Sequence, residues 1–597
     1  MPIYQRLWHL ICYAQRLYWI DTLLWLGIIG LPIIPGILIQ RFFDSLTQQS
    51  TLESPWLWIG LLVAAGIARV ITIFLGRITK TQHRFLMSGL VRHNLLLGLL
   101  NRPGAELAVG RDSGKKTSPG ELLSYFRDDA LQIENTTVFT NEIFAEAIFA
   151  LVAVGLLLRV SVSMTLLVFL PLCAIALLVQ RAEHRLKRYR RTSRQATQQV
   201  TGLIGELFTS VQAVKVAGAE ASMLHELQQR CDLRRQLIVR EQVFNALLNA
   251  SFETIVSLGT GLILLVAAQN LGDSLTVGDF ALFVYYLTFI TYFFAFLGSF
   301  FATVQQSDVS FERIAEQVED QEPGKVGMEA LTHPHNLYLK PILGAEPDLP
   351  STAKAITPTT PLQQLRVTGL TYTYPNSNTG IQDISFTLNR GSLTVITGRV
   401  GSGKTTLLRV LLGLLPRQSG VMVWNGQQIH EPANFLVPPR AAYTPQIPQL
   451  FSASLRDNLL LGLVDGGQQL ERAIATAAFD QDLAAMPAGL DTLIGTRGVR
   501  LSGGQKQRLA AARMLLRQAE LFIFDDLSSA LDVETEQQLW EGLLSPSYPL
   551  PLSSTYLTVS HRPAILQQAN QVILLEAGQI VFFGSSQDFF VHQSGHC

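Results

Sequence analysis

The chain has 597 residues, of which 48% are hydrophobic and only 15% charged, and its 46 Lys and Arg residues balance 46 Asp and Glu residues. This length exceeds a single domain, and the apolar composition is typical of a membrane protein. With a net charge of zero, nothing at the level of the whole chain suggests nucleic acid, and none is expected as a partner. The four cysteines lie far apart, at positions 12, 173, 231 and 597, so we expect neither a structural zinc site nor a disulfide framework.

The first half of the chain contains long stretches with few charged residues. A helix needs about 20 such residues to cross a bilayer, and six stretches approach or exceed this length. They are residues 18–40, 56–75, 144–158, 164–179, 255–269 and 280–303. We therefore predict about six membrane-spanning helices.

The loops between these stretches differ in their content of basic residues. Residues 77–127 and 181–240 are rich in Lys and Arg, whereas residues 270–276 have neither. Because basic loops stay on the cytoplasmic side, we predict that both long loops and both termini are cytoplasmic. The chain is expected to be a multi-pass protein of the cytoplasmic membrane.

Both basic loops keep a helical period beyond the apolar stretches. We predict that the membrane helices extend into the cytosol and that a short helix lies across each pair, at residues 119–126 and 206–213. Ordinary solvated loops are the alternative.

Composition changes again after the last apolar stretch. Residues 321–364 are rich in Pro, Thr and small residues without a clean period, which is typical of a linker. Beyond them, short apolar strands alternate with helical segments, as in a parallel α/β domain. The predicted domains are a transmembrane domain over residues 1–320, a linker over 321–364 and a nucleotide-binding domain over 365–597.

A glycine-rich segment lies between a short strand, residues 393–397, and an apolar helical stretch. In this context the pattern GxxxxGK[ST] binds phosphate through backbone N–H groups and a helix N-terminus. Lys404 is placed to reach the β- and γ-phosphates of ATP, and Thr405 to hold Mg²⁺. The predicted ATP-binding residues of this segment are Gly398, Arg399, Val400, Gly401, Ser402, Gly403, Lys404, Thr405 and Thr406.

A second glycine-containing helix start follows at residues 501–505, with the sequence LSGGQ. Its glycines and helix N-terminus also favour phosphate. Two outward-facing helix starts cannot easily meet within one domain, so we expect this one to close over the nucleotide of a second, head-to-tail copy. The residues predicted to do so are Ser502, Gly503, Gly504 and Gln505.

Two further strands end in polar residues. One leads into Asp525 and Asp526, and the other into His561. In a parallel sheet these strand ends converge at the edge where ligands bind. We predict that Asp525 binds Mg²⁺, that Asp526 orients the attacking water and that His561 reaches the γ-phosphate.

These motifs together resemble the ATP-binding cassette (ABC) superfamily, and within it a half-transporter of the exporter type. The resemblance implies an all-α six-helix transmembrane domain of the type I exporter kind, followed by an α/β P-loop ATPase domain. It also implies that Tyr374 stacks on adenine, that Gln446 contacts Mg²⁺, and that the short cytoplasmic helices couple the two domains. The implied catalytic residues are Lys404, Gln446, Asp526 and His561, and the implied Mg²⁺ ligands are Thr405, Gln446 and Asp525.

Two residues depart from the family pattern. Asp526 stands where the family usually has a glutamate, which withdraws the carboxylate by one methylene, and such displacements can cost about 100-fold in rate. Leu493 stands where exporters typically carry an acidic residue. A chain with an aspartate at position 526 and an intact LSGGQ resembles one subunit of a heterodimeric exporter. The alternative is a homodimer in which Asp526 supports hydrolysis well enough.

We therefore predict ATP-driven export of a hydrophobic or amphipathic substrate by alternating access, with ATP and Mg²⁺ as cofactors. The expected partners are a second half-transporter, the lipid bilayer and an exported substrate of unknown identity. The alternatives are an ATP-gated regulator or conductance, and a soluble-type ABC ATPase, which the apolar first half disfavours.

The substrate site is harder to predict. Glu142, Glu146 and Glu253 lie near the ends of predicted spans, where they could attract a cationic substrate. We favour a solvated helical extension for them instead. An aromatic run could equally line a cavity or face lipid. Its members are Tyr285, Tyr286, Phe289, Tyr292, Phe293, Phe294 and Phe296.

Overall fold

A computed structural model of the chain describes residues 2–47, 54–100, 119–270, 276–318, 331–335, 337, 360–375, 377–495, 498, 500–527, 530–544 and 554–594. The chain divides into two compact units. We call Met1–Gly98 with Gly120–Pro347 the helical unit, and Leu99–Pro119 with Asp348–Cys597 the α/β unit.

The helical unit consists of long helices and a few short ones. Its helices are α1 (Ile3–Tyr13), α2 (Gln15–Gly30), α3 (Ile33–Thr47), α4 (Pro55–Leu100), α5 (Pro119–Ser124), α6 (Ala130–Val160), α7 (Val162–Thr209), α8 (Val211–Val216), α9 (Glu220–Asn270) and α10 (Val277–Val318). A π-helical turn, Tyr125–Asp129, joins α5 to α6.

Among the described residues, four helical stretches are long and apolar enough to cross a bilayer. They are Gln15–Leu46, Pro55–Leu100, Leu122–Val160 and Val277–Ala315, and they contain four of the six predicted spans. The predicted spans 164–179 and 255–269 fall within α7 and α9, where most side chains lie outside the described residues, so these two spans stay predictions.

Four helices are much longer than a bilayer requires. Helices α4, α7, α9 and α10 have 46, 48, 51 and 42 residues, whereas a span needs about 20. They therefore extend beyond the membrane. The second predicted cross-helix, 206–213, has the wrong bounds. Helix α7 continues to Thr209, the backbone leaves helical geometry at Ser210, and the short helix is Val211–Val216.

A buried carboxylate connects three helices of this unit. Asp21 on α2 is fully buried and accepts hydrogen bonds from Thr79 Oγ1 on α4 at 2.7 Å and from Asn141 Nδ2 on α6 at 2.8 Å. Thr22 Oγ1 donates in turn to Asn141 Oδ1 at 2.9 Å. Because lipid offers no replacement partners, these bonds hold the three helices together.

Part of the predicted linker packs on the helical unit. Asn94 Nδ2 on α4 donates to the main-chain oxygens of Leu331 at 2.7 Å and His333 at 2.9 Å, and the Tyr13 hydroxyl donates to that of His335 at 2.7 Å. Leu331 is fully buried there. Residues 331–335 are thus held by the helical unit.

The α/β unit contains two sheets. Its strands are β1 (Gln364–Thr373), β2 (Gly380–Asn389), β3 (Leu393–Thr397), β4 (Ser419–Trp424), β5 (Gln427–Gln428), β6 (Ala441–Thr444), β7 (Leu521–Asp525), β8 (Thr555–Val559), β9 (Gln571–Glu576) and β10 (Gln579–Gly584). Its helices are α11 (Lys404–Leu411), α12 (Pro432–Phe435), α13 (Leu455–Leu460), α14 (Gln468–Thr476), α15 (Asp480–Ala484), α16 (Gly503–Leu515), α17 (Val533–Leu544), α18 (Pro563–Gln568) and α19 (Ser586–Ser594).

The larger sheet has the order β10-β9-β3-β8-β7-β6, and its strands β9 to β6 run parallel, as predicted. The smaller sheet, β2-β1-β4-β5, is antiparallel and was not predicted. Strand β7 is buried on both faces, with Phe522 and Phe524 in one core and Leu521 and Ile523 in the other. Helix α11 belongs to the second core, which the smaller sheet completes.

The register of the larger sheet aligns the carboxyl ends of its central strands. Val559 of β8 pairs with Ile396 of β3 on one side and with Asp525 of β7 on the other, and Phe524 pairs with Thr444 of β6. The polar residues that follow these strands therefore emerge at one edge of the sheet.

Candidate functional site

The loop between β3 and α11 depends on glycine at its two ends. Gly398 has φ of 139°, and a Cβ there would lie 2.1 Å from the main-chain oxygen of Leu575. Gly403 has φ of 100°, and its Cβ would lie 3.1 Å from the main-chain oxygen of Gly380. Only a residue without a side chain fits both the space and the backbone conformation.

The middle of the same loop is open. Gly401 has φ of 84°, and a Cβ there would meet no atom within 4 Å. The neighbouring Ser402 is 4% exposed, and its buried hydroxyl has no hydrogen-bond partner among the described residues. Such a hydroxyl calls for a partner, because an unmatched buried polar group is costly. The loop thus fits a phosphate, which would accept hydrogen bonds from this cradle.

Lys404 begins α11 and folds back over the loop. Its Nζ donates to the main-chain oxygens of Gly398 at 2.7 Å and Arg399 at 2.8 Å. Partial burial lowers the pKa of this ammonium, while Asp526 and Asp525 act in the opposite direction. The cation is held between the loop and two carboxylates, where it can meet a phosphate.

Thr405 and Asp525 form a set of oxygen ligands. Thr405 Oγ1 donates to Asp525 Oδ1 at 3.0 Å, and the Tyr443 hydroxyl donates to Oδ2 at 3.4 Å. Asp525 is almost fully buried, and burial is the main cause that raises the pKa of its carboxyl, against the hydrogen bond from Thr405. One carboxylate and one hydroxyl beside a phosphate loop fit Mg²⁺, which usually takes few protein ligands together with substrate phosphates.

Asp526 follows β7 in a left-handed conformation, with φ of 55°. Gln446 Nε2, from the loop after β6, donates to Asp526 Oδ2 at 3.2 Å. Two side chains predicted to be catalytic are therefore in contact. Aspartate tolerates this backbone region better than most residues do.

His561 stands at the end of β8, with its Nδ1 3.4 Å from the Thr397 hydroxyl at the end of β3. Burial lowers the pKa of the imidazole, and the nearby Lys404 lowers it further against the effect of Asp526. The ring is therefore neutral at pH 7, with one nitrogen able to donate a hydrogen bond.

Tyr374 lies at the end of β1, beside the helix that follows the phosphate loop. Its hydroxyl is 3.2 Å from Thr406 Oγ1, and its ring meets that of Tyr372 edge-on with centroids 5.1 Å apart. Tyr374 is thus tied to the start of α11. Its predicted contact with adenine stays a prediction.

The LSGGQ segment forms a separate network. Ser502 Oγ accepts from the main-chain N–H of Gln505 at 3.2 Å, and Gln505 Oε1 accepts from that of Ser502 at 2.8 Å, so the start of α16 is capped by its own side chains. A Cβ at Gly504 would lie 3.0 Å from the main-chain oxygen of Ala530. Among the described residues, no hydrogen bond connects this segment to residues 398–406.

Leu493, the second departure from the family pattern, is held through its backbone. It pairs with Ser454 in an isolated antiparallel bridge, and its main-chain oxygen accepts from Arg500 Nη1 at 3.1 Å. Its side chain is 62% exposed.

Two residues of the site were not predicted. Tyr443 contacts Asp525 directly, and Arg409 acts on both Tyr443 and Asp525. Both had a signal in the sequence. Tyr443 lies at the end of the strand before Gln446, and Arg409 lies four residues after Thr405, on the same face of α11.

The helical unit holds a cavity of about 350 Å³, which we call the helical-unit cavity. Apolar, aromatic and charged side chains line it together. They are Trp25, Ile29, Arg77, Lys80, Phe139, Glu142, Glu146, Tyr292 and Phe296.

Two of the predicted acidic residues face this cavity rather than a solvated helix surface. The side chain of Glu142 is 14% exposed and is paired with Lys80, and Glu146 is 9% exposed. Our preference for a solvated extension was therefore wrong for both, because α6 packs against α2 and α10 here. The side chain of Glu253 lies outside the described residues.

The residues of the predicted aromatic run lie in different surroundings. Tyr286 is fully buried in the core of the helical unit, where its hydroxyl donates to the main-chain oxygen of Ile33 at 2.6 Å. Tyr292 and Phe296 line the helical-unit cavity, with rings stacked at 6.4 Å.

Comparison with known families agrees with this architecture. Residues 22–295 match the family model of the ABC transporter transmembrane region, and residues 381–529 match the family model described as ABC transporter. The chain belongs to the ABC transporters. With both domains in one chain, it is a half-transporter of the exporter type and an ATP-hydrolysing membrane transporter. The predicted family and fold class are confirmed, and the soluble-type alternative is excluded.

Several relatives are similar over most of the chain. An ATP-dependent lipid A-core flippase of Xanthomonas campestris pv. campestris is 29% identical over 72% of this chain and 68% of its own length. A probable multidrug resistance ABC transporter ATP-binding/permease protein of Bacillus subtilis is 25% identical over 98% of this chain and 94% of its own. A solved structure of a bacterial Atm1-family ABC exporter with ATP bound has the same fold, with a TM-score of 0.74, 20% identity and 97% coverage of both chains.

Proposed function

We propose that this half-transporter works as a dimer in the cytoplasmic membrane and exports a hydrophobic or amphipathic substrate by alternating access. The observation that carries the proposal is the separation of the two glycine-containing helix starts. The phosphate loop, Asp525, Asp526 and His561 meet at one sheet edge, whereas LSGGQ is capped and packed within its own network. A complete ATP site therefore needs the LSGGQ segment of a second chain.

Each polar group at the sheet edge has a defined role in this proposal. The loop N–H groups and Lys404 hold the β- and γ-phosphates, and Thr405 and Asp525 hold Mg²⁺ with help from Gln446. Bound ATP supplies the phosphoanhydride bond whose hydrolysis resets the cycle. Asp526 orients the attacking water, and neutral His561 donates a hydrogen bond toward the γ-phosphate.

Asp526 makes the site on this chain slow. Its side chain is one methylene shorter than that of the usual glutamate. The hydrogen bond from Gln446 Nε2 to Asp526 Oδ2, at 3.2 Å, holds the carboxylate near the sheet edge. A loss of about 100-fold in rate is expected for a displacement of this size. The intact LSGGQ completes the competent site of a different partner chain, and the chain is then one half of a heterodimer.

Transport follows from closure of the two nucleotide domains. ATP has a higher affinity for the closed pair, so binding shifts the dimer toward the outward-open state, and hydrolysis reverses the shift. The short helices α5 and α8 transmit the movement. Both termini lie in the cytoplasm, because the basic loops that contain these helices stay on that side.

The helical-unit cavity supports an amphipathic substrate. It combines four aromatic rings with four charged side chains, a mixture that neither lipid-facing helix nor a purely polar channel requires. The relatives named as a lipid A-core flippase and a probable multidrug resistance transporter are consistent with substrates of this kind.

The first experiment measures ATP hydrolysis by the purified full chain in lipid nanodiscs, beside Asp526→Glu and Lys404→Ala. We expect the native chain to turn over slowly and Asp526→Glu to be about 10- to 100-fold faster. Fast hydrolysis by the native chain, abolished in Lys404→Ala, would refute the slow site and favour a homodimer. Failure of reconstituted dimers to move solute against a gradient with ATP would refute export and favour a regulator or conductance.

A further inference from the structure

We propose that the helical-unit cavity is a binding site for an organic cation that carries an ammonium group on an aromatic body, with Glu146 as its counter-ion. This inference rests on the proposed function, because it names the chemical class of the exported substrate.

Glu146 is an acidic side chain in the cavity wall, and the described residues supply no partner for it. It is 91% buried and lines the cavity, and no hydrogen bond or ion pair reaches its carboxylate from the described residues. A carboxylate in a membrane protein is costly unless a cation or hydrogen-bond donor meets it. A cationic ligand in the cavity would supply that partner.

The neighbouring carboxylate, Glu142, has a cationic partner, unlike Glu146 among the described residues. Glu142 lies one helical turn before Glu146 on α6 and is paired with Lys80. The Lys80 ammonium also lies 4.4 Å from the centre of the Trp25 ring and 5.7 Å from that of Phe139. The cavity thus already holds one cation with a carboxylate and aromatic faces, and Glu146 offers the carboxylate for a second.

Helix α10 provides aromatic surface for the body of the ligand through Tyr292 and Phe296. Phe296 meets Phe139 edge-on at 5.9 Å and stacks with Tyr292 at 6.4 Å. Aromatic faces attract cations and pack against aromatic ligands. Arg77 also lines the cavity, but its side chain is exposed, whereas that of Glu146 is buried in the cavity wall.

The volume limits the ligand. A cavity of about 350 Å³ lies at the lower end of the range for small-molecule sites, roughly 300–1,000 Å³. It accepts one ring system with an ammonium group. A larger amphiphile would place only its cationic end here.

The test uses the full chain in lipid nanodiscs and two probes with the same aromatic body. One is the permanently charged naphthylmethyl-trimethylammonium, and the other is the anion naphthylmethanesulfonate. Equilibrium dialysis measures binding above empty nanodiscs. We expect the cation to bind and the anion not to bind. Glu146→Gln should weaken cation binding at least tenfold, and Phe296→Leu about threefold.

The matched control is Glu226→Gln, which removes an equal charge from an exposed ion pair with Arg230 on α9 and should leave cation binding unchanged. Equal affinity of native and Glu146→Gln protein for the cation overturns the inference. Tighter binding of the anion, lost in Arg77→Gln, also overturns it and assigns the cavity to anionic groups. Neither result changes the comparison of ATP hydrolysis by the native chain and Asp526→Glu. Failure of this inference can therefore be distinguished from failure of the proposed function.

Discussion

The two glycine-containing helix starts of the α/β unit look alike in sequence and differ in construction. At the phosphate loop, Gly401 faces open space and the Ser402 hydroxyl is buried without a described partner. At LSGGQ, Ser502 and Gln505 cap the helix reciprocally, and Gly504 is required by the close approach of Ala530. The phosphate loop therefore keeps hydrogen-bonding groups for a ligand within its own domain. The hydrogen-bonding groups that cap the LSGGQ helix are used within the segment, so this helix start presents only its outer surface to another molecule.

The largest expected effect comes from removing the positive charge of Lys404 from the phosphate loop. Lys404→Ala deletes the cation that reaches the phosphates, and loss of one such electrostatic contact costs about 100-fold or more in turnover. ATP hydrolysis in nanodiscs measures it. Arg366→Ala, on strand β1 of the antiparallel sheet, is the control with an equal loss of charge.

Alanine at the central glycine of each loop separates binding from turnover. In Gly401→Ala the residue must keep φ of 84°, which costs about 1–2 kcal/mol, so we expect ATP affinity to fall about tenfold. In Gly504→Ala the Cβ meets Ala530, so ATP affinity should be kept and turnover lost. Nucleotide titration and steady-state hydrolysis distinguish the two, and a loss of ATP affinity in Gly504→Ala would contradict the comparison.

Replacing the serine of each helix start should have a smaller effect, on stability. Ser502→Ala removes a helix cap and should lower the free energy of unfolding by about 1 kcal/mol. Ser402→Ala removes a hydroxyl that has no described partner, so stability without nucleotide should stay within about 0.5 kcal/mol. Thermal melting of the full chain with and without ATP checks both. We expect the stabilisation by ATP to decrease more in Ser402→Ala than in Ser502→Ala.

The smallest expected effect is on pH dependence. Burial and Lys404 lower the pKa of His561 below its ordinary value of 6.5, so the folded protein favours the neutral ring. The stabilising contribution of that neutral ring is complete above pH 6.5 and is lost as the pH falls from there through the lower pKa of the folded state. Hydrolysis that needs the neutral ring should therefore keep more than half of its pH 7.5 rate at pH 6.5, because the pKa lies below 6.5. A decline within that range that persists in His561→Gln would assign the titration to another group.

Local patterns and distant contacts were not equally predictable. The phosphate loop, Asp525, Asp526 and His561 follow strands whose parallel order is visible in the sequence, so their convergence could be predicted. Arg409 and Tyr443 could have been found from helix and strand periodicity, but their shared contact with Asp525 depends on sheet register.

The helical unit was less predictable for a physical reason. Apolar stretches identify spans, but the face of α6 that carries Glu146 is decided by packing against neighbouring helices, which charge and hydropathy alone do not specify. The bounds of α8 depend on a single backbone departure at Ser210. The antiparallel sheet was missed because its strands alternate in burial and lie on both sides of the phosphate loop in sequence.

We expect the buried carboxylate of Asp21 to limit which helices can separate during transport. Its bonds to Thr79 and Asn141 fix α2, α4 and α6 at one depth. Helices α7 and α9 hold each other through their own contacts, with the rings of Tyr189 and Phe244 5.5 Å apart and Arg234 Nε 3.2 Å from Thr197 Oγ1. We therefore expect two rigid groups of helices, which slide or rotate past each other as bodies while the bonds inside each group survive every cycle.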